Sequence, residues 1–467
     1  MMCNTVDKIK DLILAAGEKA RLETGNEAEP ELSRNVQWPV TCTVGPGLEG
    51  AIACESKIGY VHGAKGWLIY RGYDIFELCA YSTFEEVSFL LMHGHLPNSR
   101  ELELFKNKLI GYRKLNKTLR WLLGFDVEAM NAMAALRMGT NFMRQEFTYM
   151  DQEGGRPTTS DAISSDEDSI PMETLPRGEE RAIYEFKDFQ SRKEPQADSD
   201  LQNTWGVEAC YHLISGVATI AAAIARNRKG LLPLEPDPSL GHAANFLYMI
   251  NGRKPTPVEE RVMDIALILH ADHGMNASTF ASVVTASTLA DVYLSVGSGI
   301  AALSGPLHGG ATEEVIKQLK EIGDPAKVKT WVDNKLAAKK KISGFGHRVY
   351  KAYDPRARVL GPLAECLSEE NAEARNLFNI ASALEKEMAV RMSREKKIFP
   401  NVDFYSGIVY SILGIDPEIF TPIFAVSRVA GWTARVLEYL SHNRIFRPRA
   451  IYSGEFNKKY APVESRG

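Results

Sequence analysis

From Thr83 to near the C-terminus, apolar residues recur every three or four positions, in segments of roughly 10 to 20 residues separated by Gly, Pro or Asn. Glu85 to His93, Glu208 to Arg226 and Glu259 to Ala271 are examples. That period places apolar side chains on one stripe of a helix and cannot be satisfied by a pleated strand. The pattern therefore predicts a predominantly α fold. The exception is Ala51 to Asp74, where short β-branched and aromatic runs flank GAKG at 63–66, and a small hairpin is expected. Val6, Ile9, Leu12, Ile13 and Ala16 predict one further amphipathic helix, followed by a polar stretch from Glu23 to Asn35. Residues 1–37 thus read as an N-terminal helical arm and linker.

A chain of 467 residues with 45% apolar and 24% charged residues can bury a large core, which excludes disordered and peptide-like classes. Its 55 basic and 59 acidic side chains leave a formal charge of -4, so no global positive field favours nucleic acid or an anionic membrane. The longest apolar stretches, such as Gly216 to Ala225, are far shorter than the roughly 20 residues of a spanning helix. Six cysteines stand far apart without a C-x-x-C pair, and reduced thiols in a cytoplasmic protein are expected. No targeting segment is visible at the N-terminus.

One segment departs from the rest. Residues 151–203 carry 14 acidic and 6 basic side chains, a local charge of -8, with few large apolar groups. Such a segment cannot bury enough surface to offset the entropy of ordering, and it is expected to be a flexible acidic insertion.

Several motifs carry possible chemistry. Gly297, Gly299 and Ala302 fit G-x-G-x-x-A, but no strand–helix–strand unit surrounds them, so close helix packing explains them better than a dinucleotide. In LILHADHGMNAST, His270 and His273 fall three apart on an expected helical face; lacking H-E-x-x-H or a nearby cysteine, they do not suggest zinc. His273 suits an anionic ligand and His270 a core position. His308 in SGPLHGGA and His347 in SGFGHRVYKAYDPRA are flanked by glycines, which let backbone approach a ligand closely. Asp403 in FPNVDFYSG stands among apolar and aromatic residues that would desolvate it and raise its basicity, although a helix cap is the plainer role. Arg356, Arg428 and Arg447 supply guanidinium forks suited to carboxylates. Together these describe two histidines and one carboxylate for acid–base work, with arginines for a polyanionic small substrate.

GPLHGGA, GFGHRVYKAYDPR, NVDFYSG, FAVSRVAGW and RPRAIY closely resemble, in order and spacing, the citrate synthase family in its shorter bacterial and archaeal form, a form shared with 2-methylcitrate synthases. The resemblance runs from about Gly47 to Ser453 apart from the acidic insertion. It implies a mainly helical, all-α fold, a homodimer, and two domains: a large one from 38–308 with 414–467 and a small one from 309–413. It implies condensation of acetyl-CoA with oxaloacetate, with coenzyme A thioester as a substrate and no further cofactor or metal. By matched motif, Asp403 would take a proton from the acetyl methyl, His308 would meet the developing enolate oxygen, and His347 would polarise the oxaloacetate carbonyl. His273, Arg356, Arg428 and Arg447 would hold oxaloacetate, with Arg447 coming from the neighbouring subunit. Lys341, Gly344, Gly346, Arg348 and Lys351 would line the coenzyme A site. Propionyl-CoA as substrate, or a catalytically silent assembly role, are the competing readings; intact His308, His347 and Asp403 count against the second. Two positions depart from the family's common GW-x-A-H and LHGGAN runs, which here hold Arg435 and Thr312.

Overall fold

The structure is a computed structural model that describes residues 5–28, 38–148, 199–369, 371–393 and 398–466. Most of the acidic insertion, and the linker after the first helix from residue 29 to 37, lie outside the described residues. Helix α1 (Val6–Thr24) starts at Thr5, whose hydroxyl accepts from the Lys8 N–H, and buries Ile9 and Ile13. A three-stranded antiparallel sheet follows, with β1 (Gly59–His62), β2 (Trp67–Tyr70) and β3 (Tyr73–Asp74) in that order. His62 pairs with Trp67 across the expected turn at 63–66.

The first helical group comprises α2 (Ile75–Tyr81), α3 (Phe84–His93), α4 (Ser99–Gly111), α5 (Asn116–Leu122), α6 (Ala132–Phe142) and α7 (Arg144–Thr148). It continues with α8 (Ser199–Asn227), α9 (His242–Asn251), α10 (Pro257–His270), α11 (Ala277–Ser287) and α12 (Val292–Leu303). Then come α13 (Ala311–Ile322), α14 (Val328–Ala337), α15 (Pro355–Ser368), α16 (Ala372–Met388), α17 (Val402–Ile412) and α18 (Phe420–Leu440). The predominantly α fold is observed. Starts follow local chemistry: α10 opens with a capping box, Thr256 bonding the Glu259 N–H while Glu259 returns to Thr256, and Pro257 takes the first position.

Two packing centres emerge. In one, α18 packs on α8, α10, α11, α12 and α3; in the other, α13, α15 and α16 pack on α17, and α14 packs on α16. Helix α1 touches both, lying on α2 and on α15, with Glu23 paired to Arg358, so it is an integrated part of the core and not a loose arm.

Four sequence expectations need adjusting. Helix α8 begins at Ser199, inside the segment assigned to the insertion, so that boundary at 203 falls five residues late. The apolar window of α8 spans Gly206–Asn227, long enough by length and composition to cross a membrane, yet it is mostly buried here against its neighbours as a core helix. Cys366 is disulfide-bonded, against the expectation of reduced thiols, while Cys42, Cys54, Cys79 and Cys210 are free. Finally, α10 stops at His270, and His273 lies in the following turn, so the two histidines do not share a helical face. The G-x-G-x-x-A run lies inside α12, where a Cβ on Gly297 would meet Asn141 Oδ1 at 2.4 Å and one on Gly299 would meet Ser282 Oγ at 2.3 Å. Close packing is its role, as expected.

Candidate active site

Two turns and three helix starts converge. The 271–276 turn ends at Asn276, whose side chain accepts from the Ser278 and Thr279 N–H groups and so starts α11. It carries His273, 8% exposed, whose Nε2 is hydrogen-bonded to the Tyr350 hydroxyl at 3.2 Å. The His273 and His347 rings lie 5.1 Å apart, edge to face, and His347 lies 4.7 Å from the Tyr350 ring. Tyr350, from the loop before α15, therefore joins the two histidines.

The imidazoles are neutral and oriented. Burial, with Arg356 nearby, lowers His347 to about 4, and its Nδ1 accepts from the Val349 and Tyr350 backbone N–H groups at 3.0 and 3.1 Å. The ring proton therefore sits on Nε2. Burial, with Arg428 and Arg356, also lowers His308 to about 4. Its Nε2 accepts from the Ser278 N–H at 3.3 Å and lies 2.8 Å from the Ser278 hydroxyl, leaving Nδ1 to carry the proton. Each ring thus presents one N–H donor away from its backbone anchor. His270 is the core histidine it was expected to be: Nδ1 bonds the Ala266 carbonyl at 2.7 Å and the ring packs on Phe424.

Asp403 is the second residue of α17, 8% exposed, and Thr312 Oγ1 donates to its Oδ1 at 2.6 Å. Burial raises its carboxyl above the usual aspartate range, partly offset by Thr312 and by Arg356. Asn401 is both cap and tether: its Oδ1 accepts from the Asp403 N–H, its Nδ2 donates to the Gly346 carbonyl, and its N–H donates to the Gly344 carbonyl. The His347 loop is thereby stitched to the start of α17. Gly344 has φ +85°, and a Cβ there would lie 2.7 Å from Phe404 Cδ2, so only glycine fits the stitch.

The arginines differ. Arg356 Nε and Nη2 donate to the two carboxylate oxygens of Asp354 at 3.0 and 2.8 Å, both residues being buried. Arg428, 1% exposed on α18, donates from Nε to the His270 carbonyl at 2.6 Å, but neither Nη1 nor Nη2 has a hydrogen-bond partner among the described residues. Burial pushes it down to about 10. A buried guanidinium with two idle nitrogens is an incomplete site that an anion would complete. Arg435 forks onto Asp272 at 2.7 Å for each bond, and Asp272 also accepts the Gly274 N–H, fixing the turn that bears His273.

The structure brings together His273, His308, His347, Asp403, Arg356 and Arg428, with Lys341 and Lys351 near enough to act on Asp403 and His347 through their charges. Gly344 and Gly346 line the same loop, and Arg348 is exposed beside Glu49. Arg447 is not gathered in: it is exposed on the chain after α18, its guanidinium donating to the Pro448 carbonyl. Sequence reasoning passed over Ser278, Tyr350, Asp354, Asp272 and Asn401. The D-P-R run and the Asn directly before V-D were available signals for two of them, as N-cap residues.

Comparison with known proteins agrees with this geometry. Residues 47–449 match the family model described as citrate synthase, C-terminal domain. The chain is 39% identical over 423 residues to a citrate synthase of Acidithiobacillus ferridurans, covering 90% of this chain and 98% of that protein. Among solved structures it is similar to citrate synthase from Pyrobaculum aerophilum (TM-score 0.74, 38% identity, 93% of this chain and 100% of that one). It is similar also to citrate synthase from Thermoplasma acidophilum in a ternary complex with carboxymethyl coenzyme A and oxaloacetate (TM-score 0.74, 32% identity, 91% and 100%).

Proposed function

The chain belongs to the citrate synthase family, and from that premise we propose that it condenses acetyl-CoA with oxaloacetate and hydrolyses citryl-CoA to citrate and free CoA. The observation that carries the reading is the pair of neutral imidazoles, each with its accepting nitrogen tied to backbone N–H donors and its own N–H turned the other way, beside one desolvated carboxylate. A methyl group next to a thioester is a very weak acid, so its removal requires a base and a preplaced donor for the charge that develops on the thioester oxygen. Asp403 takes the proton. His308 Nδ1–H faces the thioester oxygen. The enolate carbon then attacks the oxaloacetate carbonyl, whose oxygen is polarised by His347 Nε2–H; the proton this oxygen gains to become the citryl hydroxyl balances the one Asp403 removed, so His347 and Asp403 both return to their starting states. Water cleaves the resulting thioester and drives the sequence forward. The overall reaction is acyl transfer in which the acyl group becomes an alkyl group.

Arg428 with its two idle nitrogens, Arg356 and His273 hold the oxaloacetate carboxylates. We assign a large domain to 38–308 with 414–467 and a small domain to 309–413, with the site between them, a division the two packing centres support. Arg447 acts in a second copy. This last reading is supported by the chain around it, which exposes Ile445, Ile451, Tyr452, Phe456 and Tyr460, an apolar set suited to burial against a partner. Lys341, Gly344, Gly346, Arg348 and Lys351 are assigned to coenzyme A.

Release of free CoA, followed with a thiol reagent in the presence of oxaloacetate and either acetyl-CoA or propionyl-CoA, tests the proposal. Acetyl-CoA is expected to give the higher kcat/KM. Faster turnover of propionyl-CoA would reassign the chain to 2-methylcitrate synthesis, and no release with either would remove the catalytic reading.

A further inference from the structure

The geometry points to Thr312 as a positioning residue that fixes which oxygen of Asp403 acts as base and keeps that carboxylate ionised. The inference rests on the reading of Asp403 as the proton acceptor. Thr312 is the second residue of α13, directly after the His308-Gly309-Gly310 turn, and is 3% exposed. Its hydroxyl lies 2.6 Å from Asp403 Oδ1, a short distance of the kind charge-assisted O–H···O bonds adopt. Oδ1 is thereby committed, and proton abstraction falls to Oδ2. Because α13 follows His308 by three residues and α17 carries Asp403, this one bond also sets the base relative to the imidazole across two helices.

A buried aspartate needs such a donor. Burial alone would shift the carboxyl toward its neutral form, in which it cannot accept a proton, and a donor to the charged form opposes that shift. The other groups facing Asp403 are few. From α15, Arg356 favours the charged form and its N-cap Asp354 opposes it; from the preceding loop, Lys341 favours it weakly. Within α17, Tyr410 is held protonated by burial and by Asp403 itself. On α16, Glu385 is occupied by the hydroxyls of Tyr353 and Tyr405. His308 and His347 are neutral above about pH 4 and add no competing charge at working pH. Arg356 is itself committed to Asp354, so among these groups Thr312 alone reaches the carboxylate by a hydrogen bond.

Thr312→Val keeps the shape and removes the donor. The acid limb of kcat/KM for acetyl-CoA is expected to move up by about one pH unit, a tenfold loss of activity below the limb, while the KM for oxaloacetate stays within about twofold. The sign follows from the base being active only when ionised: a higher carboxyl pKa removes it at a higher pH. Thr312→Ser, which restores the hydroxyl, returns the limb to its original place. Should Thr312→Val not fold, Thr312→Ala removes the same donor with less bulk and reads the same limb. A separate readout does not depend on turnover: the carbon-13 carboxyl titration of Asp403, assigned by its disappearance in Asp403→Asn, should show the same upward shift. An unmoved limb and an unmoved titration in the Val or Ala variant would overturn the inference, as would a Ser variant displaced as far as Val. A parent protein that releases no CoA defeats the functional reading instead, and the titration then still decides whether Thr312 sets the ionisation of Asp403.

Discussion

Replacing Arg435 by Leu should destabilise the protein in a way that grows with pH. Asp272 is completely buried, and Arg435, 4% exposed, donates to both of its carboxylate oxygens. In the parent, burial is the largest influence and works to raise the Asp272 carboxyl, but the charge and hydrogen bonds of Arg435, with Arg428 and the Gly274 N–H, together hold the group below its ordinary 3.8. A group lowered on folding contributes stability above its unfolded value and loses it as pH falls through the folded value. In Arg435→Leu the charge keeps only the more remote Arg428 and the Gly274 N–H, so burial prevails and the folded carboxyl rises above 3.8. The variant then loses stability as pH rises past about 4. Removing one partner of a buried ion pair costs about 3–5 kcal/mol, which at 1.36 kcal/mol per unit places the two folded carboxyl values roughly two to four units apart. Urea unfolding midpoints followed by circular dichroism from pH 4.5 to 8, at fixed salt and protein concentration, should show a gap already open at the acid end that widens with pH to its full size near neutrality. A gap that is the same at every pH would refute the reasoning, because it would mean that lost packing and not the stranded charge sets the penalty. The double variant Arg435→Leu with Asp272→Asn should flatten the pH dependence.

Other outcomes follow from the same geometry. Asp403→Asn should lower kcat by about 10²- to 10⁴-fold with oxaloacetate affinity nearly unchanged, measured by CoA release and by isothermal titration; near-normal turnover would remove Asp403 from its role. Arg356→Leu should weaken oxaloacetate binding by roughly 2–5 kcal/mol and also strand Asp354 in the interior. Adding Asp354→Leu should restore the urea midpoint without restoring affinity, and recovery of both would show that Arg356 acts only through folding. Gly344→Ala and Gly346→Ala both force a side chain into the left-handed region, at φ +85° and +81°, for about 1–2 kcal/mol. Only the first also drives a Cβ into Phe404 and Val315, which adds about 1–3 kcal/mol, so equal urea midpoints for the two would count against the packing argument.

What the sequence made legible, and what it hid, follows from how far each feature reaches along the chain. The helices were readable because their signals are local. The Thr256–Glu259 capping box and Pro257 mark the start of α10 within four residues, and the hairpin at 63–66 is announced by its own turn. The glycines around His308 and His347 were legible for the same reason. Gly344 and Gly346 do adopt positive φ, although the tether from Asn401 that makes the position necessary comes from more than fifty residues away.

Charge pairing is the opposite case. Asp272 and Arg435 are 163 positions apart and pair only because α10 and α18 lie side by side; nothing near either residue in the chain announces the other. The same holds for Thr312 and Asp403, 91 positions apart, which meet where α13 packs on α17. Both were visible in the sequence as departures from a family's usual run, and their meaning was not, because a departure names a position and only the fold names its partner. Arg428 shows the consequence for function. Arg356 and Arg428 were both read from their motifs as carboxylate partners, yet Arg356 is paired with Asp354, while Arg428 keeps two buried nitrogens without a hydrogen-bond partner among the described residues. The selectivity of the site for an anion therefore depends less on how many cations line it than on which of them the fold has left unpaired. The idle nitrogens of Arg428 gain bonds to an anion directly, whereas Arg356 meets it with the N–H groups left over while its fork onto Asp354 holds the guanidinium in place.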